Sequence, residues 1–507
     1  GFALAVTFID AGNIGGGGFM TIKIDQEVAF LDYREKAPLT AHKNMYLNDQ
    51  GDVIDNITLI GGQAAGVPGT VAGFWEAHQR FGQLPWKDLV QPAIELADKG
   101  FMPAPILVES IHSMEQRFEG KTNFNDYFNS ISSDSLFRQP ELANTLRRIA
   151  EFGADDFYRG ETAALIVQQM EKSNGLISLE DLDAYAAVWR APVRAGWRDY
   201  EIISAPPPSS GGFAIVQLLK MKDYLSELFE GVEHNSAQYI HLVAEMEKRV
   251  FADRAEYLGD PDFFDIDIDA LIDDDYLARR AAEVNPKAIS VLDSVNPGLE
   301  SPNTTHYSIV DQWGNAVSNT YTINWDYGSG VVVGGAGFLL NNEMDDFSAK
   351  PGTPNIYGVV GSVANEIQPG KRMLSSMSPT IVLKDGEVEM VLGTPGGSTI
   401  FTTVFQVITN ILDFGMSVEE AIGIARFHHQ LVPPDLITYS GFTIDQHLPK
   451  VTVGDLSEKG YRSEPHSFEY GDVQIIVRSG DSWIAASDPR DRGQSRVFEV
   501  TTKTRDR

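Results

Sequence analysis

Residues 304–328 read TTHYSIVDQWGNAVSNTYTINWDYG, and this stretch decides the fold. Residues 304–310 and 316–323 are polar and β-branched runs, and the turn chemistry of Gly314-Asn315 stands between them, so the stretch predicts a β-hairpin. Ahead of it lies acidic linker material with Pro, Asn and Gly turns that ends in Ser301-Pro302-Asn303. Behind it, strand-like runs at 378–384, 388–393, 472–478 and 482–487 alternate with helical spacing at 402–412 and 418–425.

The first half mixes the same two signals. Residues 3–9 are an apolar run; Ala11–Gly18 (AGNIGGGG) breaks it, and strand resumes at 19–24 and 28–33. Apolar spacing near 3.6 predicts helices at 70–81, 86–99, 140–152, 161–173 and 179–187, then two longer ones at 213–230 and 236–258. Strands in both halves with helices between them predict α/β layers rather than a helical bundle. No internal repeat of 20–50 residues is present.

Composition narrows the function. At 507 residues, 43% hydrophobic and 22% charged, the chain is that of a globular protein, and no run approaches 18 apolar residues, so no membrane span is expected. Asp plus Glu is 71 against 40 for Lys plus Arg, a net charge of −31. Such a surface repels nucleic acid and anionic lipid. The acidic run 262–275 lacks the Gly and terminal Glu of a calcium loop and reads as a solvated face. Without cysteine there is no disulfide, no thiolate catalysis and no Cys-ligated metal. Gly15–Gly18 lacks the GK[ST] ending of a phosphate loop and reads as a tight backbone crossing. His428-His429 has no third ligand nearby, so residues 426–430 read as structural. No cofactor and no metal is expected. The opening GFALAVTF has neither an initiator Met nor a basic stretch, and leading residues are expected to precede it.

Thr304, His306, Ser308, Gly314, Asn315, Val317, Thr320, Thr322, Asn324 and Gly328 recur at the offsets of a known signature. The stretch resembles that of the γ-glutamyltranspeptidase family, within the N-terminal nucleophile hydrolases. AGNIGGGGFM (11–20), DYREKAP (32–38), LLNNEMDDFSAKPG (339–352), KRMLSSMSPT (371–380), TPGGS (394–398), RFHHQ (426–430) and SDPR (487–490) look like further family segments in family order. The resemblance covers nearly the whole chain and is weakest between about 110 and 200.

The resemblance implies a four-layer αββα sandwich and self-cleavage at Asn303-Thr304. A large subunit (1–303) and a small one (304–507) would then form one compact heterodimer. Thr304 would be the nucleophile. A Thr hydroxyl needs a base, and the α-amine freed by the cut, with an ordinary pKa of roughly 7.7–8.0, can be that base. Thr322 would orient the nucleophile, and the N–H groups of Gly396 and Gly397, which no Cβ shields, would receive the oxyanion. A γ-glutamyl donor ends in one carboxylate and one ammonium. Arg34, Ser375 and Ser376 would hold the first, and Asn324, Glu343 and Asp346 the second. Tyr357, in the Gly/Pro loop 351–361, would sit on a lid over the donor.

The activity expected is transfer of a γ-glutamyl group from glutathione or a related compound to water, an amino acid or a peptide. The family implies a periplasmic or extracellular location. A cephalosporin or glutaryl acylase, a poly-γ-glutamate processing enzyme and an uncleaved binding protein stay open. The first would leave Asp346 without its ammonium, the second needs an open groove where the lid is expected, and the third would not need an intact Thr304, Thr322 and Gly396-Gly397.

Overall fold

The computed structural model describes residues 1–291, 304–350, 362–440, 447–466, 471–490 and 493–499. Its strands are β1 (Gly17–Ile24), β2 (Glu27–Tyr33), β3 (Val188–Arg190), β4 (Val193–Trp197), β5 (Tyr200–Ser204), β6 (Thr305–Val310) and β7 (Ala316–Thr322). After these come β8 (Thr380–Lys384), β9 (Glu387–Gly393), β10 (Phe427–His428), β11 (Leu436–Tyr439), β12 (Arg462–Pro465), β13 (Gln474–Ser479) and β14 (Ser482–Ser487). They form a five-stranded sheet, β3-β2-β1-β7-β6, a six-stranded sheet, β14-β13-β9-β8-β5-β4, and a small sheet, β10-β11-β12.

The two large sheets face each other. Ile203, Ile381, Leu383, Val388 and Val391 of one meet Ala316, Val28 and Val310 of the other. Helices cover the outer faces. Thr70–Phe81, Trp86–Lys99, Pro140–Phe152 and Glu161–Ser173 pack against Met20, Ile22, Leu31 and Tyr33. Gly211–Tyr224, Ala237–Tyr257 and Thr399–Leu412 pack against Ile202, Val382, Met390, Leu392 and Ile475. The order helix, sheet, sheet, helix is the αββα sandwich expected.

The hairpin closes one edge of the five-stranded sheet. β6 and β7 pair in the register Thr305↔Tyr321, which carries Thr304 to the open end beside Thr322. On its other side β7 pairs with β1, Gly17 against Thr322. The Gly15–Gly18 run is the tight crossing expected: a Cβ at Gly15 would lie 2.1 Å from the Leu339 carbonyl oxygen, and one at Gly16 would lie 2.0 Å from that of Thr322.

One expectation gives way. The apolar run at 3–9, which reads as strand, opens as helix Phe2–Thr7. Phe2, Ala5 and Val6 recur at helical spacing and are buried, and the Phe2 ring meets Phe74 and Trp86 edge-on, so tertiary packing overrides an ambiguous local signal.

Candidate active site

The site residues lie at one end of the two sheets. Arg34 follows β2, Thr304 precedes β6, and Asn324 follows β7. Glu343 and Asp346 bound one turn of 3₁₀ helix, Ser375 and Ser376 precede β8, and Gly396-Gly397 lies between β9 and helix Thr399–Leu412. Arg34, Thr304, Thr322, Asn324, Glu343, Asp346, Ser375, Ser376 and Gly397 line a single pocket whose free core is about 30 Å³, roughly the room of one water. Gly396 is not among the lining residues and lies one position behind Gly397. Asn303 and Tyr357 lie outside the described residues.

Thr304 Oγ1 is 3.4 Å from Thr322 Oγ1, which in turn accepts the Asn324 backbone N–H at 2.8 Å. Asn324 itself is left-handed, with φ 74°, so the chain turns sharply just past the strand. Asn324 Nδ2 donates to the Asn342 carbonyl at 3.0 Å, tying this end of β7 to the turn that carries Glu343 and Asp346. His306 is buried with its ring nitrogens against Thr320 Oγ1 (2.7 Å) and Ser308 Oγ (3.1 Å). Burial holds its pKa down to about 3, so it stays neutral.

Arg34 is fully buried between carboxylates. Its guanidinium pairs with Glu343 and Asp346 and, at 3.5 Å, with Glu35; Nε donates to the Met373 carbonyl at 3.3 Å. Burial works against its charge, but Glu343, Asp346 and Glu35 outweigh burial and hold the group above its ordinary value. The carboxyls also move up, here because burial disfavours their charge. Burial raises Glu343 well above the ordinary range despite Arg34, and raises Asp346 and Glu35 too, Glu35 to about 7.

Gly396 (φ 135°) and Gly397 (φ 56°) both have positive φ, which only glycine adopts freely. The turn ends at the N-terminus of helix Thr399–Leu412, where backbone N–H groups favour negative charge. Their carbonyls are used, accepting from the Thr399 and Ile400 N–H groups at 3.0 and 3.3 Å.

Five further lining residues, Arg254, Leu374, Met377, Ser398 and Ile400, were not read from sequence as part of the site, and Arg254 is the charged one among them. Arg254, on helix Ala237–Tyr257, places Nε 3.1 Å from Ser210 Oγ and an Nη 3.4 Å from Ser376 Oγ. No local pattern in the sequence marks it: Glu245, Glu247, Lys248, Arg249, Asp253 and Arg254 read as ordinary charged helix positions, and only the fold shows that they are buried. Residues 426–429 are buried and Gln430 is half-buried, with Arg426 pairing with Asp488 at 2.8 Å. Among the described residues no group of His, Asp and Glu is arranged to hold a metal ion, and no helix is long and apolar enough to cross a membrane.

A threonine hydroxyl at the head of β6 in an αββα sandwich, beside a glycine turn at a helix N-terminus, defines an N-terminal nucleophile hydrolase. The fold is shared with cephalosporin acylase from Bacillus halodurans, with a TM-score of 0.83 over 99% of this chain and 90% of that one, at 23% identity. Residues 1–498 match the family profile described as Gamma-glutamyltranspeptidase. The glutathione hydrolase proenzyme of Pseudomonas aeruginosa is 56% identical over 498 residues, covering 98% of this chain and 89% of that protein. The structure of Gamma-glutamyltranspeptidase from Pseudomonas nitroreducens complexed with L-DON is 55% identical, covers 57% of this chain and 86% of that one, and superposes with a TM-score of 0.56. The chain belongs to the gamma-glutamyltranspeptidase family and is an enzyme.

Proposed function

We propose that the chain is a glutathione hydrolase and γ-glutamyltranspeptidase that first cuts itself between Asn303 and Thr304. The observation that carries this reading is the meeting, in one pocket, of a threonine pair with a buried cation and two carboxylates. A γ-glutamyl donor needs both halves: a nucleophile for the amide and two opposite charges for its zwitterionic end.

In the uncut chain the Thr304 hydroxyl attacks the Asn303 carbonyl carbon, the peptide C–N bond breaks, and the released α-amine takes the proton. Water then opens the ester, leaving Thr304 at the head of a new chain. In turnover that amine accepts the hydroxyl proton as Oγ1 attacks the donor's γ-carbonyl. The Gly396 and Gly397 N–H groups receive the oxyanion, the leaving amine takes the proton, and a glutamyl ester remains on Thr304. Water or an amine completes the cycle, losing its proton to the same α-amine. Thr322 Oγ1, held by the Asn324 N–H, keeps the nucleophile in place.

The donor's carboxylate takes the Arg34 fork with Ser375 and Ser376, the latter steadied by Arg254. Its ammonium takes Glu343, Asp346 and Asn324. Because Arg34 already pairs with those two carboxylates, binding is an exchange of partners in which no charge is left alone. The two fragments stay together as a heterodimer, and the enzyme works in the periplasm or outside the cell.

The test is mass and turnover together. Purified wild type held at neutral pH should yield fragments of 303 and 204 residues and release the anilide of a γ-glutamyl donor. Thr304→Ala should stay one chain and lose at least about 10³-fold in rate. A glutaryl anilide, which lacks the ammonium, is the control donor. Equal turnover of both donors, or an active Thr304→Ala chain, would overturn the reading.

A further inference from the structure

The segment Arg426–Gln430 (RFHHQ) looked merely structural in sequence, yet its side chains alternate as a strand requires. Phe427 enters the core behind the six-stranded sheet, and His429 turns to the Pro434 carbonyl at 3.1 Å. The other three, Arg426, His428 and Gln430, face the surroundings of the Gly396-Gly397 turn.

Their contacts bracket that turn. Ser398, directly after Gly397, donates its hydroxyl to Gln430 Oε1 at 2.8 Å and lies 3.3 Å from His428 Nε2. His428 Nε2 is 3.0 Å from the same Gln430 oxygen, and its Nδ1 is 3.0 Å from Thr402 Oγ1 on the first turn of helix Thr399–Leu412. An amide oxygen can only accept, so Nε2 carries the ring proton and Nδ1 accepts from Thr402. On the other flank Arg426 holds the carbonyl of Gly471, whose N is 3.6 Å from where a Cβ on Gly396 would stand.

We propose that His428 and Gln430 are positioning residues for catalysis: through Ser398 and Thr402 they fix the Gly396-Gly397 turn, so that its N–H groups are aimed before the oxyanion forms. This rests on the reading of that turn as the oxyanion site. A glycine pair has the least intrinsic preference for any one conformation, so its direction must be imposed from outside. Preorganised donors stabilise a transition state only if they need no reorganisation as charge develops. A clasp on both sides of the turn supplies that. Burial keeps His428 neutral, with a pKa of about 3, so the clasp does not open across the working pH range.

The experiment uses the self-cut two-chain enzyme, with kcat scaled to the fraction cut. Ser398→Ala removes one hydroxyl, Gln430→Leu its acceptor, and His428→Gln keeps a donor near the Nε2 position. Two ligands are measured on each variant: free glutamate, which fills the donor site in its ground state, and a boronic-acid analogue of the donor, whose tetrahedral adduct on Thr304 places an oxygen where the oxyanion forms. Gly396→Ala, which disturbs the turn directly, reports on the underlying reading.

Ser398→Ala and Gln430→Leu should each lower kcat about 10- to 100-fold, somewhat less than outright loss of an oxyanion donor, with KM within about twofold. The boronate should weaken by the same factor and glutamate should not. The double variant should lose no more than Gln430→Leu alone, because that substitution already removes the Ser398 hydrogen bond together with the His428 one. His428→Gln should recover most of the rate that His428→Ala loses. Loss of melting temperature with kcat and boronate affinity intact, or additive losses in the double variant, would overturn the proposal while leaving the oxyanion site standing. If Gly396→Ala also leaves boronate affinity and kcat unchanged, the turn is not the oxyanion site and both readings fall.

Discussion

Arg34 stands among the pocket's carboxylates, and its chemistry cannot be supplied by another cation. Its planar fork reaches Glu343 and Asp346 at once, and the buried position leaves no water to repair a lost contact. Lysine is a point charge on a flexible stem. Arg34→Lys should therefore raise donor KM about 10- to 100-fold, the loss of one charge-assisted hydrogen bond, with a smaller effect on kcat. An unchanged KM would mean that the donor's carboxylate binds elsewhere. Glu35 allows a second prediction. Its folded pKa, about 7, lies above the ordinary 4.5, mainly because it is buried. Between those values the folded state holds a proton that the unfolded state has released. Its contribution is thus full below about pH 4.5 and declines as pH rises through about 7. Urea unfolding of Glu35→Gln and wild type from pH 5 to pH 8 should show wild type losing stability relative to the variant. Parallel curves would place the ionisation of Glu35 elsewhere.

The elements themselves position the chemistry through close backbone contact. Gly16 lies against the Thr322 carbonyl at a distance no Cβ could share, so Gly16→Ala must push β1 from β7 just where Thr322 faces Thr304. Overpacking of this kind costs about 1–3 kcal/mol and should lower the melting temperature together with self-cleavage. A variant that melts lower yet cleaves at the wild-type rate would separate the strand's packing from the alignment of its threonine. Elements of this sort were legible in sequence to differing degrees. The helices Thr70–Phe81, Trp86–Lys99, Pro140–Phe152 and Glu161–Ser173 have the bounds that apolar spacing and flanking Gly and Pro give them. The hairpin announces itself through Gly314-Asn315. The strands β4 and β5 went unassigned because they are short and follow a helical region, and helix Pro105–Phe118 went unassigned between polar turns. In the site, residues in dense motifs were readable, whereas Arg254 and the clasp of His428 and Gln430 act through contacts across 122 and 30–32 residues that no local pattern encodes.

At the scale of the molecule, the proposed cut between Asn303 and Thr304 would divide the chain but not the fold. In the five-stranded sheet β3, β2 and β1 come from residues before the cut and β7 and β6 from residues after it; in the six-stranded sheet β14, β13, β9 and β8 lie after it and β5 and β4 before. Each sheet therefore has one seam, β1 against β7 and β5 against β8, and at each seam the strands pair along four to seven residue positions. Neither fragment owns a closed core: Tyr321 packs among Val71 and Phe74 in one outer layer, and Val382 and Leu392 pack beneath Phe213 and Leu242 in the other. Cutting one peptide bond removes no contact across these seams, while parting the fragments would bare four strand edges, those of β1, β7, β5 and β8, and both halves of two cores. The fragments of the processed enzyme should co-elute in gel filtration and separate only in denaturant. The 204-residue fragment expressed alone should be insoluble or should show no cooperative unfolding. A soluble, cooperatively unfolding small fragment would mean that the seams contribute little, and that the heterodimer is held by something other than its two shared sheets.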